Sequence, residues 1–154
     1  HGDPETTAET VMMTLVEEEQ RFVHAPDIQL LHDQTVSQIL DWHPDILLAG
    51  GPPLYLSRLT KEQLNRAWQN ALRLACGVEV FILDHHLLRS TEGIAWLEKL
   101  SAFSGRQVLC AADFMGKKRR FMEAERERLY QRFPVAKGWH EAYARGEATT
   151  EQYG

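Results

Sequence analysis

Asp84-His85-His86 follows an apolar stretch, residues 78–83, with the composition of a buried strand. Three ionisable residues directly after buried backbone are costly unless they are hydrogen-bonded or bind something. Imidazole nitrogens and carboxylate oxygens are the usual ligands of zinc and related ions. A His beside an Asp is also an acid–base pair. A capping Asp followed by two satisfied surface histidines explains the same tripeptide without chemistry. Arg89, a helical turn further on, can take an anionic substrate group or simply sit at a helix start. Asp27 follows Pro26, which fixes a rigid turn after a strand-like segment. A carboxylate there can bridge cations or cap the helix that follows. His24, His32, His43 and His140 have no partner by spacing and read as surface or ordinary core histidines.

Other chemistries lack their residues. Gly50-Gly51-Pro52-Pro53 has no phosphate-loop lysine and does not open a helix directly. No Gly-x-Ser-x-Gly elbow occurs. Neither Cys76 nor Cys110 has a His at a suggestive spacing, so thiol catalysis has no support. No Cys-x-x-Cys pair is present for a structural zinc knuckle.

The elements that must position these residues alternate. Residues 10–16 and 21–25, joined by Glu17-Glu18-Glu19-Gln20, read as a hairpin. Asp33 can cap a helix with Val36, Ile39 and Leu40 on one face. Residues 45–49 form a short strand that runs into the Gly-Pro loop. Thr60 and Gln63 make a capping-box pattern. The helix behind it carries Leu64, Trp68, Ala71, Leu72 and Ala75 at helical spacing and ends at Gly77. A strand over 78–83 is followed by a helix from Ser90 or Thr91 with Ile94, Leu97 and Leu100 inward, then by a strand over 107–110. The chain then reads as helical from Arg119 to about Ala144, broken near Pro134, with a loose tail over about 146–154. Trp42, Trp68 and Trp96 sit at apolar helical positions and read as core. Alternating strands and helices define an α/β domain, whose ligands gather at the carboxyl ends of the strands. Asp27, Gly50 and Asp84 all follow predicted strands.

The 154 residues suit a single domain. Hydrophobic residues are 44% and charged residues 25%, which excludes long disorder, collagen and coiled coil. No apolar run approaches the roughly 20 residues of a membrane span. The net charge of −5 argues against non-specific nucleic-acid binding by the whole chain. Seven basic and three acidic residues cluster over 117–132, which reads as a solvated helix face. That stretch is the only support for a nucleic-acid partner, and it is weak. Two cysteines flanked by apolar or small residues read as buried thiols, which points to the cytoplasm.

Several blocks carry a resemblance when taken in order. Phe81-Ile82-Leu83-Asp84-His85-His86-Leu87-Leu88-Arg89 closely resembles the Asp-His-His-Leu-Leu-Arg block of a group of uncharacterised metallo-β-lactamase-fold hydrolases, found mainly in archaea. His1-Gly2 looks like the second half of that group's Pro-His-Gly, and Ala25-Pro26-Asp27 like its strand-end Ser-Asp. Gly50-Gly51-Pro52-Pro53-Leu54-Tyr55-Leu56 is similar to its Asp-Gly-Pro-Leu-Thr-Tyr-Leu, and Ala111-Ala112-Asp113-Phe114-Met115-Gly116 to its Ala-Ala-Glu-Tyr-Leu-Gly.

The resemblance implies a four-layer αβ/βα sandwich with two divalent metal ions, in the first instance zinc, at the sheet ends. It implies His1 as a single His ligand, Asp27 as the bridging Asp and His85 as the final His, with His86 the second choice. Asp27 and His85 would carry the catalysis. Arg89 and Tyr55, inside matching blocks, would bind substrate. A metal-activated hydroxide would attack an ester, phosphodiester or amide. The group's early His-x-His-x-Asp-His motif is absent from these residues, Pro26 replaces its small Ser, and Gly51 stands where it has Asp. The chain therefore resembles the C-terminal half of such a hydrolase: a mixed sheet with helices on one face. Half of a sandwich exposes a sheet face, so the expected partner is an N-terminal half of the same fold or a second copy. The alternative is a non-catalytic binding or scaffold protein that forms an oligomer through that face.

Overall fold

A computed structural model describes residues 12–151. His1, and the start of the expected hairpin at Thr10 and Val11, lie outside the described residues. Two compact units divide the chain, residues 1–124 and 125–154.

The first unit is built on a mixed five-stranded sheet in the order β1-β2-β3-β4-β5. β1 (Thr14–Glu17) and β2 (Arg21–Ala25) form the expected antiparallel hairpin. β3 (Ile46–Ala49), β4 (Val80–Leu83) and β5 (Val108–Leu109) then add in parallel. Between them lie α1 (Asp33–Asp41), α2 (Lys61–Gly77) and α3 (Thr91–Ser104). Consecutive parallel strands added in one direction, with right-handed crossovers, put their helices on the same face.

Strand alternation separates the two faces. Val23, Leu47, Phe81 and Val108 pair across the sheet, as do Ala25, Ala49 and Leu83. All are essentially buried and join one core with Val36 and Ile39 of α1, Ala71 and Leu74 of α2, and Leu97 and Leu100 of α3. Each large member of this set stabilises the fold by about 1.5–3 kcal/mol. The opposite face carries Phe22, His24, Ile46, Leu48, Val80, Ile82 and Leu109. Of these only Ile82 is fully buried; the others are half-buried. This second face is therefore apolar and incompletely covered among the described residues.

The helices begin and end where local chemistry dictates. Thr60 and Gln63 form a reciprocal capping box at α2, and Gly77 is its last residue. The Ser90 hydroxyl accepts from the Gly93 N–H at the start of α3. Trp42, Trp68 and Trp96 pack against the core, and Trp68 meets Trp96 edge-on at 5.1 Å. Asp33, in contrast, does not cap α1. His32 holds that place, and Asp33 Oδ1 instead accepts from Asn70 Nδ2 at 2.8 Å. Asn70, only 1% exposed, also donates to the Leu30 carbonyl at 3.0 Å and accepts from Arg73. Leu30 sits in left-handed backbone at φ 63°, so this network fixes a strained segment that leads away from β2. Asn70→Ala leaves buried polar groups unpaired. It is expected to cost about 1–3 kcal/mol in urea unfolding and to speed amide exchange over residues 28–33.

Two further expectations fail in this unit. Cys76 is exposed and only Cys110 is buried, because Cys76 falls on the outer side of α2 next to buried Leu74 and Ala75. A short α4 (Ala111–Phe114) follows β5, and no regular helix begins at Arg119. Arg119 is drawn back onto Asp113 by a two-pronged pair, Nε–Oδ1 and Nη2–Oδ2, both 2.7 Å. Arg119 and the Cys110 backbone N–H hold the Asp113 carboxyl well below the usual carboxylate range, and the Arg119 contact is the larger cause. A depressed carboxylate stabilises the fold above its unfolded pKa, about 3.9, and that stability is lost as pH falls below it. Asp113→Asn is therefore expected to lower the urea midpoint at pH 7 by an amount worth about 1–2 kcal/mol, after discounting for partial exposure. It should also flatten the acid limb of the stability curve below about pH 4.

The second unit contains α5 (Arg126–Arg132) and α6 (Trp139–Ala144). Trp139 stacks on Tyr143 at 5.0 Å along α6. The expected break near Pro134 lies between these two helices.

Candidate metal centre

Parallel strands β2, β3 and β4 end on one edge of the sheet, and three loops meet there. The loops are bonded to each other. The Gly51 N–H donates to the Ile28 carbonyl, and the Leu87 N–H donates to the Gly50 carbonyl, both at 3.0 Å. A Cβ on Gly50 would run into the Pro26 carbonyl oxygen and come within 3.1 Å of His86 Cδ2. Gly51 adopts φ 76°, and its own Cβ would come within 2.9 Å of Leu87 Cβ. The two glycines are thus what lets the β2 and β4 loops close on each other.

Asp27, His85 and His86 come together at this edge. One ligand atom from each lies within 4.8 Å of the others. Asp27 Oδ1 stands 3.8 Å from His85 Nε2 and 3.6 Å from His86 Nε2. Both separations are too long for a hydrogen bond. They are close to the separation of about 3.4 Å that two ligands of a tetrahedral zinc adopt at 2.0–2.2 Å from the ion. One carboxylate and two imidazoles are also a donor set zinc accepts. The described residues therefore fit a metal ion.

His85 is exposed and sits in left-handed backbone at φ 50°. Strain of this kind costs of order 1–3 kcal/mol and clusters at functional sites. His86 is half-buried, and its buried Nδ1 has no hydrogen-bond partner. Burial, and then the charges of His85 and Arg89, push the His86 pKa down against the opposing pull of Asp27. These influences favour the neutral imidazole, the form that binds a cation.

Asp84 has the structural role. Its Oδ1 accepts from the His85 N–H at 2.7 Å and its Oδ2 from the Ala111 N–H at 2.8 Å. It satisfies the first backbone N–H of α4 and so ties the end of β4 to the start of that helix, just after β5. Arg89 ends a 3₁₀ turn, Leu87–Arg89, whose two leucines are buried. Its Nη1 donates to Tyr55 Oη at 3.3 Å. Tyr55, 40% exposed, comes from the loop after β3. The structure thus brings together Asp27 with His85 and His86, and Arg89 with Tyr55. His1 lies outside the described residues. Sequence reasoning missed the steric role of Gly50 and the Asn70 network. The Gly50-Gly51 pair after a strand was the available signal for the first, and a lone Asn within an apolar helix face for the second.

The fold and this edge define an α/β domain with a candidate metal site at the carboxyl ends of parallel strands. The chain's homologues are archaeal UPF0282 proteins. It is 51% identical over 154 residues to a UPF0282 protein of Methanosarcina mazei, covering 99% of this chain and 51% of that one. It is 34% identical over 154 residues to one from Thermococcus sibiricus, covering 91% and 48%, and 32% identical over 133 residues to one from Pyrococcus horikoshii, covering 85% and 42%. The chain spans about half the length of the curated relatives it matches. No family model matches the chain, and no solved structure matches it. No helix among the described residues is long and apolar enough to cross a membrane.

Proposed function

We propose that this chain supplies one half of a metal-dependent hydrolase of the metallo-β-lactamase type. The observation that carries the reading is the convergence of Asp27 Oδ1, His85 Nε2 and His86 Nε2 at a strand-end edge, at ligand-like separations. When bound, the divalent ions supply an activated water and polarise the ester, phosphodiester or amide. Asp27 would serve as the bridging ligand, His85 as the final one, and His86 as the alternative or additional ligand. Three protein ligands leave coordination positions open, as catalytic rather than structural sites do. The remaining ligands would come from an N-terminal half bearing His-x-His-x-Asp-His, and the apolar sheet face of the first unit, half-buried among the described residues, is the surface that half would cover. The relatives' length, about twice that of this chain, supports such a partner.

The apolar sheet face also supports a second reading, a non-catalytic protein that self-associates through it. Native mass spectrometry of the chain, with and without zinc and the other half of a UPF0282 relative, tests both. The hydrolase reading expects a one-to-one complex that retains two zinc ions. A zinc-free self-associated chain that ignores the other half would replace it with the scaffold reading.

A further inference from the structure

We infer that Arg89 and Tyr55 form a phosphoryl-recognition element, so that the substrate is a phosphate ester. This rests on the hydrolase reading and narrows its substrate class. Arg89 is half-buried, and among the described residues no carboxylate pairs with it. Arg21, Arg119 and Arg145, in contrast, each pair with a carboxylate, of Glu17, Asp113 and Glu147. The closest acid in sequence, Glu92, accepts from the Thr91 hydroxyl, and Asp84 has both oxygens taken by backbone N–H groups.

Arg89 is nonetheless held in place. Tyr55 Oη accepts from Nη1, and the guanidinium carbon lies 5.8 Å from the Tyr55 ring centroid. A neutral partner fixes the guanidinium plane without consuming its charge. Arg89 ends the 3₁₀ turn that starts directly after His86, so the guanidinium stands three residues from that candidate metal ligand. A planar guanidinium fork matches two phosphoryl oxygens. Divalent ions sharing the one carboxylate this chain supplies would leave net positive charge, and Arg89 adds to it. A phosphoryl dianion offsets two of those charges and engages both prongs of the fork, whereas a carboxylate offsets one and a neutral ester none.

The test is calorimetric titration of the chain with inorganic phosphate, with and without one equivalent of zinc, and with acetate as a comparison. Zinc content is measured separately by mass spectrometry. Phosphate is expected to bind more tightly than acetate. Arg89→Gln should weaken phosphate binding about tenfold or more, with zinc content and thermal midpoint unchanged. Arg89→Lys should recover little, because an ammonium lacks the fork. Tyr55→Phe should weaken binding by about threefold through lost orientation, and it carries the test if Arg89→Gln does not fold. Acetate binding as tightly as phosphate, or phosphate affinity unchanged in these variants, overturns the inference. Zinc uptake separates the two levels. Arg89-dependent phosphate binding by a chain that takes no zinc, alone or with the other half of a UPF0282 relative, upholds the anion site and removes the metal reading. Zinc binding with Arg89-independent phosphate affinity does the reverse.

Discussion

Asp27→Ala is expected to lower zinc affinity by at least about 100-fold and to leave the urea midpoint near that of the wild type. The two halves of this expectation have different causes. Outer-sphere partners of a metal are worth about 10–100-fold in affinity, and a direct ligand is worth more. The Asp27 side chain is 67% exposed and lies beyond hydrogen-bond distance of both histidines, so its loss removes little that holds the fold. His85→Ala should behave in the same way, since that ring is also exposed. His86→Ala should lose zinc affinity and some stability together, because its side chain is only 16% exposed. Competition against a zinc-binding dye, run beside urea unfolding, measures both quantities. An Asp27→Ala chain that holds zinc as tightly as the wild type would sink the metal centre.

Gly50→Ala is expected to be the most damaging single methyl addition in the molecule's site. The new Cβ meets backbone, the Pro26 carbonyl, and not a flexible side-chain tip. Relief requires the β2 loop to move away from His86, which separates Asp27 from its partners. Overpacking of this kind costs about 1–3 kcal/mol and more where backbone cannot yield. Gly116→Ala is the matched comparison. Gly116, unlike Gly50, has positive φ, 64°, and its Cβ would meet nothing within 4 Å, so its replacement carries the backbone strain alone, should cost only about 1 kcal/mol and should leave zinc affinity unchanged. Thermal midpoints and zinc titrations of the two variants separate steric closure of the site from simple backbone strain. Equal effects would show that the close approach over Gly50 does not govern the site.

The strand-end logic was legible because it depends on local patterns. Apolar stretches bounded by Asp27, Gly50 and Asp84 read directly as strands with reactive residues behind them, and parallel pairing then brings those ends to one edge. The division of labour inside Asp84-His85-His86 was not legible. Both oxygens of Asp84 are spent on the His85 and Ala111 amides, and Ala111 is distant in sequence. The pairing of Arg89 with Tyr55 spans 34 residues and leaves no periodic trace. Asp33 was misread as a cap because its acceptor oxygen is claimed by Asn70 from another helix. The helix expected from Arg119 fails for a similar reason: the ion pair with Asp113 outweighs the local helical preference. Cys76 was misplaced because small apolar neighbours flank it on both sides of an amphipathic helix.

The interlocked loops constrain how this site can change over generations. A sheet whose chemistry hangs on separate loops can ordinarily exchange one loop at a time, since the strands beneath carry the stability. Here the absent side chain of Gly50 is the space in which Pro26 and His86 meet, and backbone bonds tie residues 28, 50, 51 and 87 together. Substitutions at positions 27, 50 and 86 are therefore not independent events. Their effects should be strongly non-additive, and a lineage that alters one of these loops must alter its neighbours in concert or lose the site as a unit.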